Sequence, residues 1–254
     1  MTWALDLDGV VWLAGERIPG APEAVAMLRA AGERVVFLTN NSGPLLEGHV
    51  EALGRSGIEA DPSDIATSSQ AAAQMLDPGS DAAVIGDEGL RQALSQRGVD
   101  VVPPGAQAGT VVVGRTLDLD YDELSAAAEA VRDGARFIAT NTDATFPTPG
   151  RLLPGAGALI AFVATASGRQ PEVAGKPHPP MASLVRARYG DVSVMVGDRP
   201  DTDGLFAELV GARFGLVLSG VTSPADLPVD PAPAFVSADL RSLVEALISC
   251  GPGS

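Results

Sequence analysis

The stretch Ala4-Leu-Asp-Leu-Asp-Gly-Val10 decides how the rest of the chain reads. It is apolar enough for a core strand, yet it carries Asp6 and Asp8 one residue apart. A buried, unpaired carboxylate is costly, so two of them in a strand need a reason. Side chains two apart on a strand share a face, which puts both acids on one side with Cα atoms roughly 6–7 Å apart. Gly9 then permits a sharp exit. In open α/β sheets ligands gather at the carboxyl ends of strands, so what matters is what the other strands offer at theirs.

Short β-branched runs alternate with longer Ala/Leu-rich segments of helical period. The runs fall at 3–7, 35–38, 83–85, 111–113, 137–139, 192–196 and 214–218. Helix candidates lie at 22–31, 44–56, 69–76, 89–97, 121–132, 156–167, 180–188 and 202–210. This alternation predicts an α/β fold, a Rossmann-like doubly wound parallel sheet with helices on both faces. Two dense turn signals, Asp77-Pro-Gly-Ser-Asp81 and Gly175-Lys-Pro-His-Pro-Pro180, bracket a segment with its own strand-helix set. They suggest a smaller α/β domain, residues 79–175, inserted into a discontinuous domain of residues 1–78 and 176–254. A single long sheet is the alternative.

Three strand ends carry polar clusters. The run at 3–7 ends at Asp6 and Asp8, and the run at 35–38 enters Thr39-Asn-Asn-Ser42. The run at 192–196 enters Gly197-Asp-Arg-Pro-Asp-Thr-Asp203, and Lys176 stands at the second turn signal. Carboxylates, a hydroxyl with backbone amides and one ammonium suit phosphoryl transfer through an aspartyl-phosphate. A carboxylate is a competent nucleophile toward phosphorus, and the acyl phosphate it forms hydrolyses easily. A phosphate dianion repels aspartate, so a hard divalent cation such as Mg²⁺ has to bridge them. Lys176, Thr39 and backbone amides supply positioning and charge stabilisation. A second carboxyl group off the metal protonates the leaving oxygen and then activates water, the position Asp8 has relative to Asp6.

Other motifs read more plainly. Asp118-Leu-Asp120 repeats the spacing but precedes Tyr121-Asp-Glu123, where acids serve a helix N-terminus. Gly86-Asp87 lacks a trailing Asp-x-Asp and reads as a strand-to-helix turn. Gly175-Lys176 is no P-loop, because Pro177 replaces the hydroxyl residue. Gly155-Ala-Gly157 lacks the third glycine of a dinucleotide fingerprint. His49 is expected on a solvated helix face and His178 as a loop anchor.

Composition narrows the partners. With 17 Lys and Arg against 32 Asp and Glu, the formal charge is −15, which disfavours nucleic acid and anionic membrane surfaces. Hydrophobic residues make up 46% and aromatics 4%, so the core is expected to be mostly Ala, Val, Leu and Ile. The lone Cys250 excludes an internal disulfide or a thiolate metal cluster. No leader pattern opens the chain and no apolar run reaches about 18 residues, so a soluble cytoplasmic protein with no membrane partner is expected.

The motifs Asp6-Leu-Asp8-Gly-Val, Thr39-Asn-Asn-Ser42, Lys176-Pro-His-Pro and Gly197-Asp198 to Asp203 resemble, in that order, those of the haloacid dehalogenase-like (HAD) phosphatases. The last is similar to the G-D-R-x-D-T-D form of the type IIA subgroup, which contains p-nitrophenylphosphatases, phosphoglycolate and glycerol-phosphate phosphatases and NagD-like nucleotidases. That subgroup inserts an α/β cap between the second and third motifs, where the segment 79–175 lies. The resemblance implies that Asp6 is nucleophile and Mg²⁺ ligand, and that Asp8 is general acid/base and gives the metal its backbone carbonyl. It implies that Thr39 and Asn40 bind the transferring phosphoryl group, that Lys176 holds it beside Asp6, and that Asp198, supported by Asp203, completes the metal site. Ala139-Thr-Asn141-Thr-Asp143 and Leu153-Pro-Gly155-Ala-Gly157 look like cap segments of this subgroup, which makes Asn141, Asp143 and the 153–157 loop candidates for substrate binding. Gly204 departs from the subgroup, which often has a β-branched residue there, and a packing consequence is expected.

The expected activity is Mg²⁺-dependent hydrolysis of a small phosphate ester. A receiver-like signalling domain is the rival, disfavoured by Asp8, since a switch needs a slowly hydrolysed phosphoaspartate. A sugar-phosphate-binding protein that has lost catalysis is disfavoured by the intact acids, while a phosphotransferase on the same core stays open. So do the substrate's identity and the oligomeric state, with a homo-oligomer through the cap among the options.

Overall fold

Two parallel sheets with flanking helices make up the fold, and the computed structural model describes residues 1–148 and 150–249. Cys250 lies outside the described residues. The chain opens with β1 (Thr2–Asp6), β2 (Trp12–Leu13), β3 (Glu16–Arg17), α1 (Ala21–Ala30), β4 (Arg34–Thr39), α2 (Leu46–Arg55) and β5 (Ile65–Thr67). Then come α3 (Ser68–Gln74), β6 (Asp81–Ile85), α4 (Glu88–Arg97), β7 (Asp100–Val102), β8 (Thr110–Val113), α5 (Tyr121–Arg132) and β9 (Arg136–Ala139). The hairpin β10 (Thr145–Thr148) and β11 (Arg151–Pro154), α6 (Ala156–Ser167) and β12 (Glu172–Val173) follow. The chain continues through α7 (Pro179–Tyr189), β13 (Val194–Gly197), α8 (Leu205–Val210), β14 (Arg213–Val217), β15 (Phe235–Ser237) and α9 (Leu240–Ser249).

These elements form two compact units. One comprises Met1–Thr39, His49–Ala66 and Val185–Ser254, and the other Asn40–Gly48 with Thr67–Leu184. The first unit holds a six-stranded sheet in the order β15-β14-β13-β1-β4-β5, parallel from β15 to β4. β1 and β13 are buried almost end to end, as parallel strands covered on both faces must be. The register pairs Leu5 with Val196 and Asp6 with Leu38, so Asp6 and Asp198 leave neighbouring strands at the same carboxyl edge. From β1 the chain passes to β4 on one side and later returns to β13 on the other. The strand order therefore reverses between β1 and β13, where an open α/β sheet forms its ligand crevice.

The second unit holds a five-stranded parallel sheet in the order β12-β9-β8-β6-β7. Its core packs Ile85, Val111, Val113 and Phe137 against Leu124 and Val131 of α5 and Leu159 and Val163 of α6. All strands of this sheet fall within residues 81–173, and none of the six-stranded sheet does. Among the described residues, no helix is long and apolar enough to cross a membrane.

All seven strand runs and all eight helix segments expected from the sequence are present, with ends moved by a few residues. β5, β7, β12, β15, the two hairpins and α9 were not anticipated. These strands have two to four residues each, too few to show a period, and are ordered by their ladder partners. The helix expected from 202 begins at Leu205, preceded by a π-helical turn at Pro200–Gly204. Gly204 packs tightly there, since a Cβ would lie 2.8 Å from Pro231 and 3.0 Å from the Phe214 ring. β1 stops at Asp6, so strand alternation does not reach Asp8. Instead the Leu7 carbonyl accepts N–H groups from Val11 at 2.9 Å and Trp12 at 3.2 Å, curling the chain into a tight turn. His49 is also corrected: it is 3% exposed, because it shares the inward face of α2 with Leu53 one turn later. Asp120 caps α5 as expected, accepting from Asp122 N at 2.7 Å and Glu123 N at 3.1 Å.

Candidate active site

The chemistry of the first unit gathers where β1 and β13 end. Oxygens of Asp6, Asp198 and Asp203 all lie within 4.8 Å of one another, and the three residues are 8%, 2% and 0% exposed. Asp6 arrives as the last residue of β1 and Asp198 as the first residue after β13. Asp203 is folded back by the π-helical turn, where its Oδ2 accepts the Arg199 N–H at 3.2 Å. A Cβ on Gly197 would collide with the Asp203 carboxylate, so the glycine makes that return possible.

Three carboxylates this close and this buried oppose one another's ionisation. Burial pushes the Asp198 carboxyl up to about 8, and repulsion from Asp203 and then Asp6 adds to it. Its Oδ2 accepts the Val221 N–H at 2.6 Å, while its Oδ1 is buried with no hydrogen-bond partner. A buried polar atom left unsatisfied is rare enough to need an explanation. An all-oxygen donor set with a spare buried carboxylate oxygen fits a hard divalent cation, which restores the ionised form.

Asp8 stands outside this cluster. It is half-buried, and its Oδ1 accepts the Trp12 indole N–H at 3.1 Å. That bond fixes the rotation of the carboxyl group. Thr39, 1% exposed, ends β4 in the same sheet.

The remaining predicted residues meet in the second unit around Asn40. The Asn40 side chain clamps the Lys176 peptide from both ends: its Oδ1 accepts the Lys176 N–H at 2.9 Å and its Nδ2 donates to the Lys176 carbonyl at 3.0 Å. Its own carbonyl accepts from Asn141 Nδ2 at 2.6 Å and from Ser68 Oγ at 2.7 Å. Asp143 Oδ1 lies 3.5 Å from Asn40 Nδ2. The Asn40 amide therefore positions the Lys176 segment. Lys176 is 2% exposed, and Gly175 before it allows the approach, since a Cβ there would meet the Thr140 carbonyl at 2.7 Å. The hairpin after Asp143 carries Phe146, whose ring lies 4.8 Å from the Arg115 guanidinium.

Sequence reasoning missed the supporting residues. Ser68, Ser42 and Thr140 sit behind Asn40 and Asn141, with Thr140 Oγ1 3.2 Å from Ser42 Oγ. Ser219, Val221 and Thr222 line the turn beyond β14 and bond to the turn after Asp8 and to Asp198. The one signal for that turn was a Ser-Gly pair directly after a strand run.

Comparisons with known proteins agree with this geometry. The family described as haloacid dehalogenase-like hydrolase matches residues 3–100, and a second HAD-hydrolase-like pattern matches residues 173–243. A D-glycerol 3-phosphate phosphatase from Mycobacterium tuberculosis is 35% identical, over 94% of this chain and 69% of the relative. An acid sugar phosphatase from Staphylococcus haemolyticus is 34% identical, over 96% of this chain and 95% of the relative. Among solved structures, a p-nitrophenyl phosphatase from Archaeoglobus fulgidus superposes with a TM-score of 0.89 at 29% identity, covering 96% of this chain and 98% of that one. The Mycobacterium tuberculosis glycerol phosphate phosphatase in complex with magnesium gives a TM-score of 0.89 at 34% identity, over 95% of this chain and 75% of that one.

Proposed function

Because the chain belongs to the haloacid dehalogenase-like hydrolases and is a phosphatase of their type IIA branch, we propose that it hydrolyses a small polyol or sugar phosphomonoester in the cytoplasm, with Mg²⁺ as cofactor. The observation that carries this reading is the buried triad of Asp6, Asp198 and Asp203 with the orphaned Asp198 Oδ1. The named activities of the glycerol-phosphate and acid sugar phosphatase relatives support the substrate class.

Asp6, Asp198, Asp203 and the Asp8 backbone carbonyl would hold the ion. When bound, Mg²⁺ offsets the repulsion between substrate phosphate and carboxylate. Asp6 attacks phosphorus and becomes the aspartyl-phosphate as the ester oxygen departs. Asp8 gives that oxygen a proton, then takes one from the water that hydrolyses the intermediate. The Trp12 indole N–H donates to Asp8 Oδ1 and so orients the carboxyl group. Thr39, the Asn40 backbone amide and Lys176 bind the transferring phosphoryl oxygens. Residues 79–175 are assigned the role of the cap, with Asp143 and the 153–157 loop as its candidates for substrate binding, whereas the buried Asn141 amide is spent on the Asn40 carbonyl and the Asp143 N–H.

A panel of phosphomonoesters with and without Mg²⁺ tests this, including glycerol phosphate, phosphoglycolate, sugar phosphates, nucleoside monophosphates and p-nitrophenyl phosphate. Hydrolysis that is lost with chelator and returns with Mg²⁺, and is fastest on polyol or sugar phosphates, is expected. Asp6→Asn is expected to abolish turnover of every substrate. Substantial Mg²⁺-dependent turnover by that variant removes Asp6 as nucleophile.

A further inference from the structure

We propose that the turn at residues 219–222 is a positioning element of the metal site, with Thr222 and Ser219 fixing the one Asp198 oxygen left for the cation. This rests on the Mg²⁺ site proposed above and extends it to residues that touch neither metal nor substrate.

The turn reaches the site because β14 lies beside β13. The register pairs Val196 with Gly215 and Gly197 with Leu216, so the chain leaving β14 passes the residue that follows β13. There the turn grips Asp198 at two points. The Val221 N–H donates to Oδ2 at 2.6 Å, and the Thr222 hydroxyl donates to the Asp198 backbone carbonyl at 2.5 Å. One bond sets the carboxylate's rotation and the other sets the peptide that carries it. Oδ1 is left buried and without a partner beside Asp6 and Asp203. A third bond, from the Ser219 hydroxyl to the Gly9 carbonyl at 2.7 Å, ties the same turn to the exit of β1 just after Asp8. Four residues thus hold together the exits of the two strands that deliver Asp6 and Asp198.

The glycines show how close this approach is. A Cβ on Gly220 would collide with the Asp198 carboxylate, and so would one on Gly9 from the opposite exit. Thr222 is 7% exposed, so its hydroxyl competes little with water. Partners that orient a metal ligand in this way are typically worth about 10–100-fold in metal affinity.

Isothermal titration of the full chain with Mg²⁺ tests the proposal, alongside the Mg²⁺-induced rise in melting temperature. Thr222→Val, which keeps the shape and loses the hydroxyl, is expected to weaken the Mg²⁺ dissociation constant about tenfold or more. Thr222→Ser is expected to recover most of that loss, and Ser219→Ala to show a smaller loss of the same kind. At a temperature well below its melt in chelator, where the variant is already folded, turnover of Thr222→Val should rise again as Mg²⁺ is increased. If Thr222→Val melts lower but binds Mg²⁺ as the parent does, or if Ser219→Ala and Thr222→Val both bind normally, the positioning role is overturned. Should Thr222→Val fail to fold, Ser219→Ala carries the decision, and parent-like Mg²⁺ binding by it overturns the positioning role. A parent chain that takes up no Mg²⁺ overturns the metal site itself together with this inference.

Discussion

Gly9 and Gly15 offer a controlled comparison. Both have φ +83°, where an L-residue is strained, so alanine at either position carries the same backbone penalty of about 1–2 kcal/mol. Their surroundings differ. A Cβ on Gly15 meets nothing within 4 Å, whereas one on Gly9 would collide with the Asp198 carboxylate. Forcing an extra carbon into a filled site adds about 1–3 kcal/mol. Gly15→Ala should therefore cost about 1–2 kcal/mol and Gly9→Ala about 2–5 kcal/mol. For a chain of this size each kcal/mol lowers the melting temperature by about 2–4 °C. The sharper difference is functional. Gly15→Ala should keep Mg²⁺ binding and p-nitrophenyl phosphate turnover, while Gly9→Ala displaces Asp198 and loses both by at least about tenfold. Thermal melts in chelator, repeated with saturating Mg²⁺, measure the two effects separately. If Gly9→Ala loses no more stability than Gly15→Ala, or keeps its Mg²⁺-induced stabilisation, the reading of Gly9 as the glycine that admits Asp198 is wrong.

Two further outcomes follow from the carboxylates. Asp8→Asn is expected to lower turnover about 10²–10⁴-fold while leaving Mg²⁺ binding intact, as measured by steady-state kinetics and calorimetry on one preparation; unchanged turnover would remove its proton-transfer role. Asp198 should make the metal-free chain pH-sensitive, because its folded pKa of about 8 lies above the ordinary 3.8. The folded state then holds a proton that the unfolded state has released, so stability from this group falls as pH rises between those values. Melting curves in chelator from pH 5 to 8 should slope downward more steeply for the parent than for Asp198→Asn, and parallel slopes would contradict the assignment.

Much of the fold was written in local pattern. The buried apolar runs of β1, β4 and β13 are long enough to show as strands without partners, and α5 announces itself by Asp120 and the acids of its first turn. Short strands such as β7 and β12 carry too little side-chain information to stand out, since they exist because a neighbouring strand offers a ladder. His49 misled for a related reason. A histidine's local sequence does not say which side of its helix meets a core, and α2 turns that side inward with Leu53.

The same division holds at the site. By itself the sequence determined which acids stand at which strand ends: Asp6 after Leu5, Asp198 after Gly197, Asp203 five residues on. Such placement is local, because a strand's carboxyl end lies where its apolar run stops. The tertiary structure decided that β1 and β13 are neighbours at the point where strand order reverses, and this converts separate acids into a buried cluster. It alone showed the Asn40 side chain spent on the Lys176 peptide, and Asp198 with one oxygen held by Val221 and the other left over. Those facts depend on chain segments far apart in sequence meeting at hydrogen-bond distance, which no local pattern encodes.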